Sequence, residues 1–543
     1  MLQKESEFKD LFVLLTLTDS QDIPRFLFEA VKSKEIVENF IKELNHYSLI
    51  VISNNNHKLT SLSIHRSTQE MMLAYLIRKL NLTRNEQRVQ KLFETLENLI
   101  DSSVKQEYFP GIRSLISHIE ALLKQRLFLN EEQKAYLKCE LAGFYILLSD
   151  YAKALTITEE AYNILFNIYK TNKNPNKAYL KLAKTLYYKS VIATRLGNFK
   201  DAILYIKDSL EIYKKYFPTQ YMQVSAGLGM LGEIESCLGN YKEAAQYLEE
   251  CLALMDTHYP KENIIIANNL NKLGNIYCEL GNLAKAKNIL EEAARRLPPT
   301  SVKLISMNLG YQGDMYKNLG DYIKAEELLK KAKNLHLIHF PERYNHIAWI
   351  SINLANVFIE KGDYDKAETE LNESLQLCHK YLSLRHPHFF LIKYYLGKLY
   401  QALGFTLKAK AYLEESLRYY EQTFGKGYIK TACIIRSLAK VHLAQGEIKI
   451  AEGLLNHSLR ILEENKHPTR YMDLECLAEV YLEKAKITPL HTVALNKQAQ
   501  HYLQQALEII QISFSTDSPH FSRVKSKMDS VVASLNYKKK CNK

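Results

Sequence analysis

One short phrase recurs along this chain of 543 residues and constrains its fold more than anything else. It runs apolar residue, Gly, Asn or Asp, aromatic, and then Ala five positions after the Gly. It stands as Leu196-Gly197-Asn198-Phe199, Leu238-Gly239-Asn240-Tyr241, Leu280-Gly281-Asn282-Leu283, Leu319-Gly320-Asp321-Tyr322 and Lys361-Gly362-Asp363-Tyr364. Looser copies surround Gly404 and Gly446, and Leu148-Ser149-Asp150-Tyr151 precedes them all. From Gly197 to Gly446 the glycines lie 42, 42, 39, 42, 42 and 42 residues apart. A fixed period of this size is the mark of stacked repeats, in which each unit buries its apolar face only against its neighbours.

The residues around each Gly describe the unit. Ala stands five positions after it (Ala202, Ala244, Ala286, Ala325, Ala367, Ala409, Ala451), and Ala154 does so after Ser149. A large aliphatic follows at nine (Leu248, Leu290, Leu329, Leu371, Leu413, Leu455) and a small residue at twelve (Ser209, Cys251, Ala293, Ala332, Ser374, Ser416, Ser458). Steps of four and three place all of these on one stripe of a helix. Upstream, seven before the Gly is small (Gly232, Gly274, Gly313, Ala355, Gly397, Ala439), and four before it is commonly aromatic. Small residues let two helices approach closely, and the Gly ends the first helix by entering a left-handed conformation cheaply. Each unit is thus predicted to be a helix–turn–helix hairpin.

This small–aromatic–Gly–Ala–small pattern resembles the tetratricopeptide repeat. The 42-residue period is similar to the longer unit of kinesin light chains, about eight residues beyond the usual 34, or roughly one extra turn per helix. The resemblance implies an all-α, right-handed solenoid of eight to nine hairpins over residues 130–513. A capping helix is expected over 514–537, opening at Ser518-Pro519 and striped by Phe521, Val524, Met528, Val531, Val532 and Leu535, with a basic tail at 538–543.

The first 125 residues lack the repeat. Helical patterns at 6–17 and 24–46 are followed by strand-like Tyr47–Ile52, a turn at Asn54-Asn55-Asn56, a second strand at Lys58–Ile64 and a helix from His65 to Leu80. This small α+β region over 1–80, joined by connecting helices at 81–129, resembles the winged helix of NB-ARC-type signal-transduction NTPases. In that family a tetratricopeptide sensor array often follows. The resemblance begins just after Met1, so the NTPase core is expected to be missing, and no G-x-x-x-x-G-K-[ST] motif is present to cradle phosphates.

Other function classes find little support. The net charge is +12, but the basic residues alternate with acids along helical segments, as on solvated faces. The would-be recognition helix sets Lys32, Lys34 and Lys42 against Glu35, Glu38 and Glu43, so it cannot offset phosphate repulsion, and no nucleic acid is expected. The eight Cys form no CxxC pair and no zinc-ligand spacing, and they read as thiols of a reducing compartment. Neither a catalytic motif nor a cofactor or metal site is expected. With no export signal and no apolar run of roughly 18 residues, the expected location is the cytoplasm and no membrane partner is expected.

The informative surface is the face of each first helix that points away from the packing stripe. Offsets of −13, −10, −9 and −6 from the repeat Gly place Asn268, Asn271, Asn275, Asp314, Asn353, Asn356, Tyr394, Lys398, Arg436 and Lys440 there. By family resemblance such grooves hold extended peptides. An Asn amide offers donors and an acceptor to a peptide bond, while Lys and Arg suit an acidic segment or a chain end. The leading expectation is a protein-interaction scaffold that binds a partner segment in this groove. A second is the sensor part of a split or truncated NTPase, docking to a separate NTPase chain. A third is a DNA-binding regulator acting through the winged helix.

Overall fold

The computed structural model describes residues 7–54, 60–80, 87–106, 109–125, 128–148, 150–171, 177–260, 263–339, 344–381, 387–514 and 518–541. The chain forms two compact units, Met1–Arg195 with Lys200–Thr219, and Leu196–Phe199 with Gln220–Lys543.

The first unit opens with α1 (Phe8–Leu17), β1 (Ile23–Pro24), α2 (Arg25–Glu29), α3 (Lys34–His46), β2 (Ile50–Asn54), β3 (Thr60–Ile64) and α4 (Arg66–Leu80). The strands make an antiparallel sheet in the order β1-β3-β2, with Leu62 opposite both Ile23 and Ile52. The sequence pattern anticipates β2, β3 and the helices but not β1, because a two-residue strand leaves no alternation to read. Of the expected turn, Asn55 and Asn56 lie outside the described residues. In α3 the spacing of Val37, Phe40, Ile41 and Leu44 puts all four in the core, where Phe40 meets Phe8 and Phe12 edge-on at 5.3 and 5.0 Å. The Gln69 amide in α4 donates to the carbonyls of Leu15 and Thr18, at 2.8 and 2.9 Å, and so ties α4 to the end of α1.

Helices α5 (Gln87–Gln106) and α6 (Phe109–Leu123) lead to the first two hairpins, α7 (Glu131–Leu147) with α8 (Tyr151–Thr171) and α9 (Lys177–Arg195) with α10 (Phe199–Tyr216). A reciprocal cap starts α7: Asn130 accepts from the Gln133 amide at 2.7 Å while the Gln133 side chain accepts from the Asn130 amide at 3.0 Å.

The second unit continues with α11 (Tyr221–Leu238) and α12 (Tyr241–His258), α13 (Asn263–Glu279) and α14 (Leu283–Arg296), α15 (Val302–Leu319) and α16 (Tyr322–His339), and α17 (Tyr344–Lys361) and α18 (Tyr364–Tyr381). It ends with α19 (Pro387–Ala402) and α20 (Thr406–Phe424), α21 (Ile429–Ala444) and α22 (Ile448–Glu464), α23 (Arg470–Ile487) and α24 (Thr492–Ser513), and a last helix α25 (Pro519–Cys541). Nine hairpins therefore stand among the described residues, all but the first two of them in this unit.

The repeat glycines do what the sequence pattern asks. Gly197, Gly239, Gly281, Gly320, Gly362, Gly404 and Gly446 all have positive φ, between 74° and 87°. Ser149, the eighth expected break, lies outside the described residues. The hairpin interior follows the same register. The Ala five after each break has no exposed surface, and the Leu nine after it is buried. A Cβ on Gly232, Gly274, Gly313 or Gly397 would lie 2.6–2.8 Å from Leu248, Leu290, Leu329 or Leu413 respectively. The second helix thus seats its Leu in the notch left by the missing side chain of the first, and burying each such Leu contributes about 1.5–3 kcal/mol. Ser209, Ser416 and Ser458, twelve after the Gly, each donate to a carbonyl of the partner helix at 2.7–2.9 Å.

In α25, Val524, Met528, Val531 and Leu535 are buried against the core of the ninth hairpin. The helix runs on to Cys541, so Lys538–Lys540 extend it rather than forming the separate tail expected.

Candidate functional site

The first helices of the second unit enclose a cavity of about 420 Å³. Of the ten expected groove residues, Asn275, Asp314, Asn353, Asn356, Tyr394, Lys398 and Arg436 line it. The other three stand elsewhere. Asn271 has no exposed surface and sits between α13 and α15, accepting from Asn308 at 2.6 Å and donating to the Leu304 carbonyl at 3.4 Å. Tyr394 and Arg436 share its offset of −10 and do line the cavity, so what commits Asn271 to the helix seam is the pair of amide bonds it finds on the neighbouring first helix. Asn268 is half-buried and Lys440 exposed, and neither belongs to the lining.

Most charges in the lining are spent on one another. Asp314 pairs with Lys317, and Lys398 reaches Glu360 at 3.0 Å and the Asn356 oxygen at 3.1 Å. Arg436 is buried and reaches the fully buried Asp473 at 2.9 Å. With its amide turned to satisfy both ends, Asn353 donates to Asp314 at 3.2 Å and accepts from the Trp349 indole at 3.3 Å. The Lys398 ammonium holds the Glu360 carboxyl down at about 2.

Lys430 on α21 also lines the cavity, and the sequence reading overlooked it. Burial alone would lower its ammonium pKa. The Tyr428 hydroxyl, the Glu279 carboxylate and the hydroxyls of Tyr241 and Tyr420 outweigh burial and keep it well above the ordinary value. Lys430 stands at offset −16, one helical turn before the offsets used to pick the groove, so extending the stripe by three residues finds it. Apart from Tyr394, an aromatic wall was overlooked as well. Tyr394 and Tyr395 pack at 4.9 Å between ring centres and Tyr420 stacks on Tyr428 at 5.9 Å, all four lining the cavity with Trp349.

One side of the cavity is closed by contacts between residues far apart in the chain. The Tyr428 hydroxyl donates to the Cys237 carbonyl at 3.4 Å, 191 residues back. The His467 Nε2–H donates to the Glu279 carbonyl, 188 residues back, and the His520 Nε2–H to the Asn318 carbonyl at 3.0 Å, 202 residues back. A carbonyl can only accept, which fixes the proton of each ring on Nε2. Burial lowers both imidazole pKa values, in keeping with neutral rings. At each rung a ring lies over a repeat glycine: a Cβ on Gly239 would collide with Tyr428, one on Gly281 with Pro468, and one on Gly320 would come within 3.0 Å of Pro519. The ends of α11, α13 and α15 thereby meet the residues that open α21, α23 and α25.

In the first unit the equivalent face is already covered. On α5, Glu97 pairs with Lys177 at 2.6 Å and with Lys181, while Asp101 pairs with Lys184 at 3.1 Å. Glu140 on α7, with no exposed surface, accepts from Lys181 at 2.7 Å and from Lys184 at 2.7 Å.

Among the described residues no group of three or more His, Cys, Asp or Glu is placed to hold a metal ion, and no helix is long and apolar enough to cross a membrane.

Among solved structures the chain is similar to the apo form of the quorum sensor NprR from B. thuringiensis, at 15% identity over 69% of this chain and 99% of that one, with a TM-score of 0.46. It is similar to a Signal Transduction ATPase with Numerous Domains protein with a tetratricopeptide repeat sensor from Pyrococcus horikoshii, at 14% identity over 95% of this chain and 66% of that one, TM-score 0.39. Kinesin light chain TPR-like repeats from Podosopora anserina match at 21% identity over 38% of this chain and 94% of that one, TM-score 0.28. A search of curated proteins gives no match. The Tetratricopeptide repeat family model matches residues 181–257, 223–298, 304–380 and 390–464, the stretches that carry the positive-φ glycines and the Gly–Leu notches. By both their sequence register and their hairpin geometry, the repeats of this chain belong to the tetratricopeptide repeat family.

Proposed function

We propose that this protein is an interaction scaffold that holds a polypeptide segment of a partner in the cavity of the second unit. One observation carries the reading. Among the described residues, Asn275 and Lys430 line the cavity with no hydrogen bond or ion pair within 4 Å to the protein, the Glu279 carboxylate acting on Lys430 only through space, while Asp314, Glu360 and Arg436 are each paired. A free amide and a free ammonium beside an aromatic wall suit a ligand that offers carbonyls, N–H groups and apolar side chains together. Polypeptide is the ligand class with that combination. The acids also favour binding over catalysis, since Asp314 and Glu360 each lie against a cation and Glu279 accepts from Tyr241 beside the charged Lys430.

A display selection of random peptides against the full chain tests the reading. Sequences that compete with one another for a single site, and that fail on the Lys430→Glu variant, support it. A selection that enriches nothing, or ligands that bind the variant as well as the wild type, would sink it.

A further inference from the structure

Resting on that reading, we propose that the contacts at Gly239, Gly281 and Gly320 form a gate: they part to admit the end of a partner chain and close over it, so the ligand is enclosed rather than threaded along an open groove.

The glycines carry the first argument. Gly362, Gly404 and Gly446 make the same left-handed turn with nothing near the position of a Cβ. Gly239, Gly281 and Gly320 make that turn and also lie beneath a Tyr or Pro ring that any side chain would strike or crowd. The turn alone would tolerate a small side chain at modest cost, whereas close approach of another segment would not. These three positions therefore meet a second requirement, which is closure.

The second argument is what closure does to the space behind it. Cys237, Glu279, Gly281 and Asn318 from one side of the contacts, and Tyr428, His467, Pro468 and His520 from the other, all belong to the lining. With this side shut, a through-running segment would have to pass between the rungs. The volume of about 420 Å³ falls in the range of sites that bury a compact ligand, so a chain end fits where a long segment does not.

The third is position. Lys430 stands two residues after Tyr428, and Asn275 one helical turn before Glu279. The unpaired groups lie directly behind the first two rungs, where an occupant would bear on both walls at once. Each rung carries one hydrogen bond to a backbone carbonyl and a ring contact, with a Tyr428–Tyr241 hydrogen bond added at the first. None of these belongs to the packing within a hairpin, so the rungs can separate while every hairpin keeps its own core.

Cys433, half-buried on α21 and part of the lining, reports access without any partner. In the wild type, N-ethylmaleimide should modify Cys433 while a polymer-tethered maleimide is excluded. Gly281→Ala, which drives a methyl group into Pro468, should raise labelling by the polymer reagent at least tenfold. Gly362→Ala imposes the same backbone strain with no neighbour and should leave it unchanged. Cys251, which has no exposed surface and lies outside the lining, is read in the same digest. If Gly281→Ala exposes it, the chain has unfolded, and His467→Ala, which removes a rung without a clash, supplies the comparison. Equal labelling of the wild type by both reagents, or equal behaviour of the gate variant and Gly362→Ala, would overturn the gate. Either result leaves the scaffold reading standing, because no ligand enters the experiment.

Discussion

Arg436 on α21 and Asp473 on α23 form an ion pair at 2.9 Å with both side chains out of solvent. Arg436 lines the cavity, yet its charge is committed to the next hairpin. Burial raises the Asp473 carboxyl above its ordinary range, and the guanidinium is its counterweight. Arg436→Ala should therefore destabilise the chain by about 3–5 kcal/mol, because it strands a buried carboxylate. Replacing both residues with Leu should recover much of that loss. Guanidinium denaturation of the two variants measures the difference, and an Arg436→Ala midpoint equal to wild type would show that the pair contributes nothing.

The notch between helices gives an opposed pair of predictions. Gly274→Ala places a methyl group 2.6 Å from Leu290 and should cost about 1–3 kcal/mol by overpacking. Gly453 is exposed in the interior of α22 with nothing near the position of a Cβ, so Gly453→Ala should stabilise by about 0.5–1 kcal/mol. Thermal unfolding should move the two variants in opposite directions.

That contrast also shows what could be read from residues alone. The helix breaks, the buried Ala and Leu stripe and the small residues at Gly232 and Gly274 follow from helical periodicity, because neighbours four and three apart must share a face. Seven of the ten groove residues follow for the same reason. Asn271 fails although Tyr394 and Arg436 share its offset, because its amide is taken up by Asn308 and the Leu304 carbonyl of the next first helix, which periodicity alone does not show. Closure at Gly239, Gly281 and Gly320 was illegible: the same Gly serves a turn whether or not a ring lies over it, and the partners are some 190 residues away. Coverage of the first hairpins by α5 was hidden likewise, since Glu97 and Asp101 look like any solvated helix face.

Acid should reveal the Glu360–Lys398 pair. Lys398 depresses the folded-state Glu360 value to about 2, below the ordinary 4.5 of the unfolded chain. A depressed carboxyl contributes fully above its unfolded value and loses that contribution as pH falls through the folded one. The wild type should thus lose stability between pH 4.5 and about 2 more steeply than Lys398→Met, in which Glu360 titrates closer to its ordinary range. Denaturant midpoints across that interval test the sign. Parallel curves would remove the pair as the cause.

The central claim is that a partner polypeptide binds in the cavity of the second unit, at the unpaired Lys430 and Asn275. Fluorescence anisotropy with a selected, labelled peptide compares two charge reversals on the same helix, Lys430→Glu inside the cavity and Lys440→Glu outside it. The account predicts at least a tenfold loss of affinity for Lys430→Glu and a change of less than about twofold for Lys440→Glu, with both variants as helical as the wild type. Equal affinities for the two variants, or a larger loss at Lys440, would contradict it.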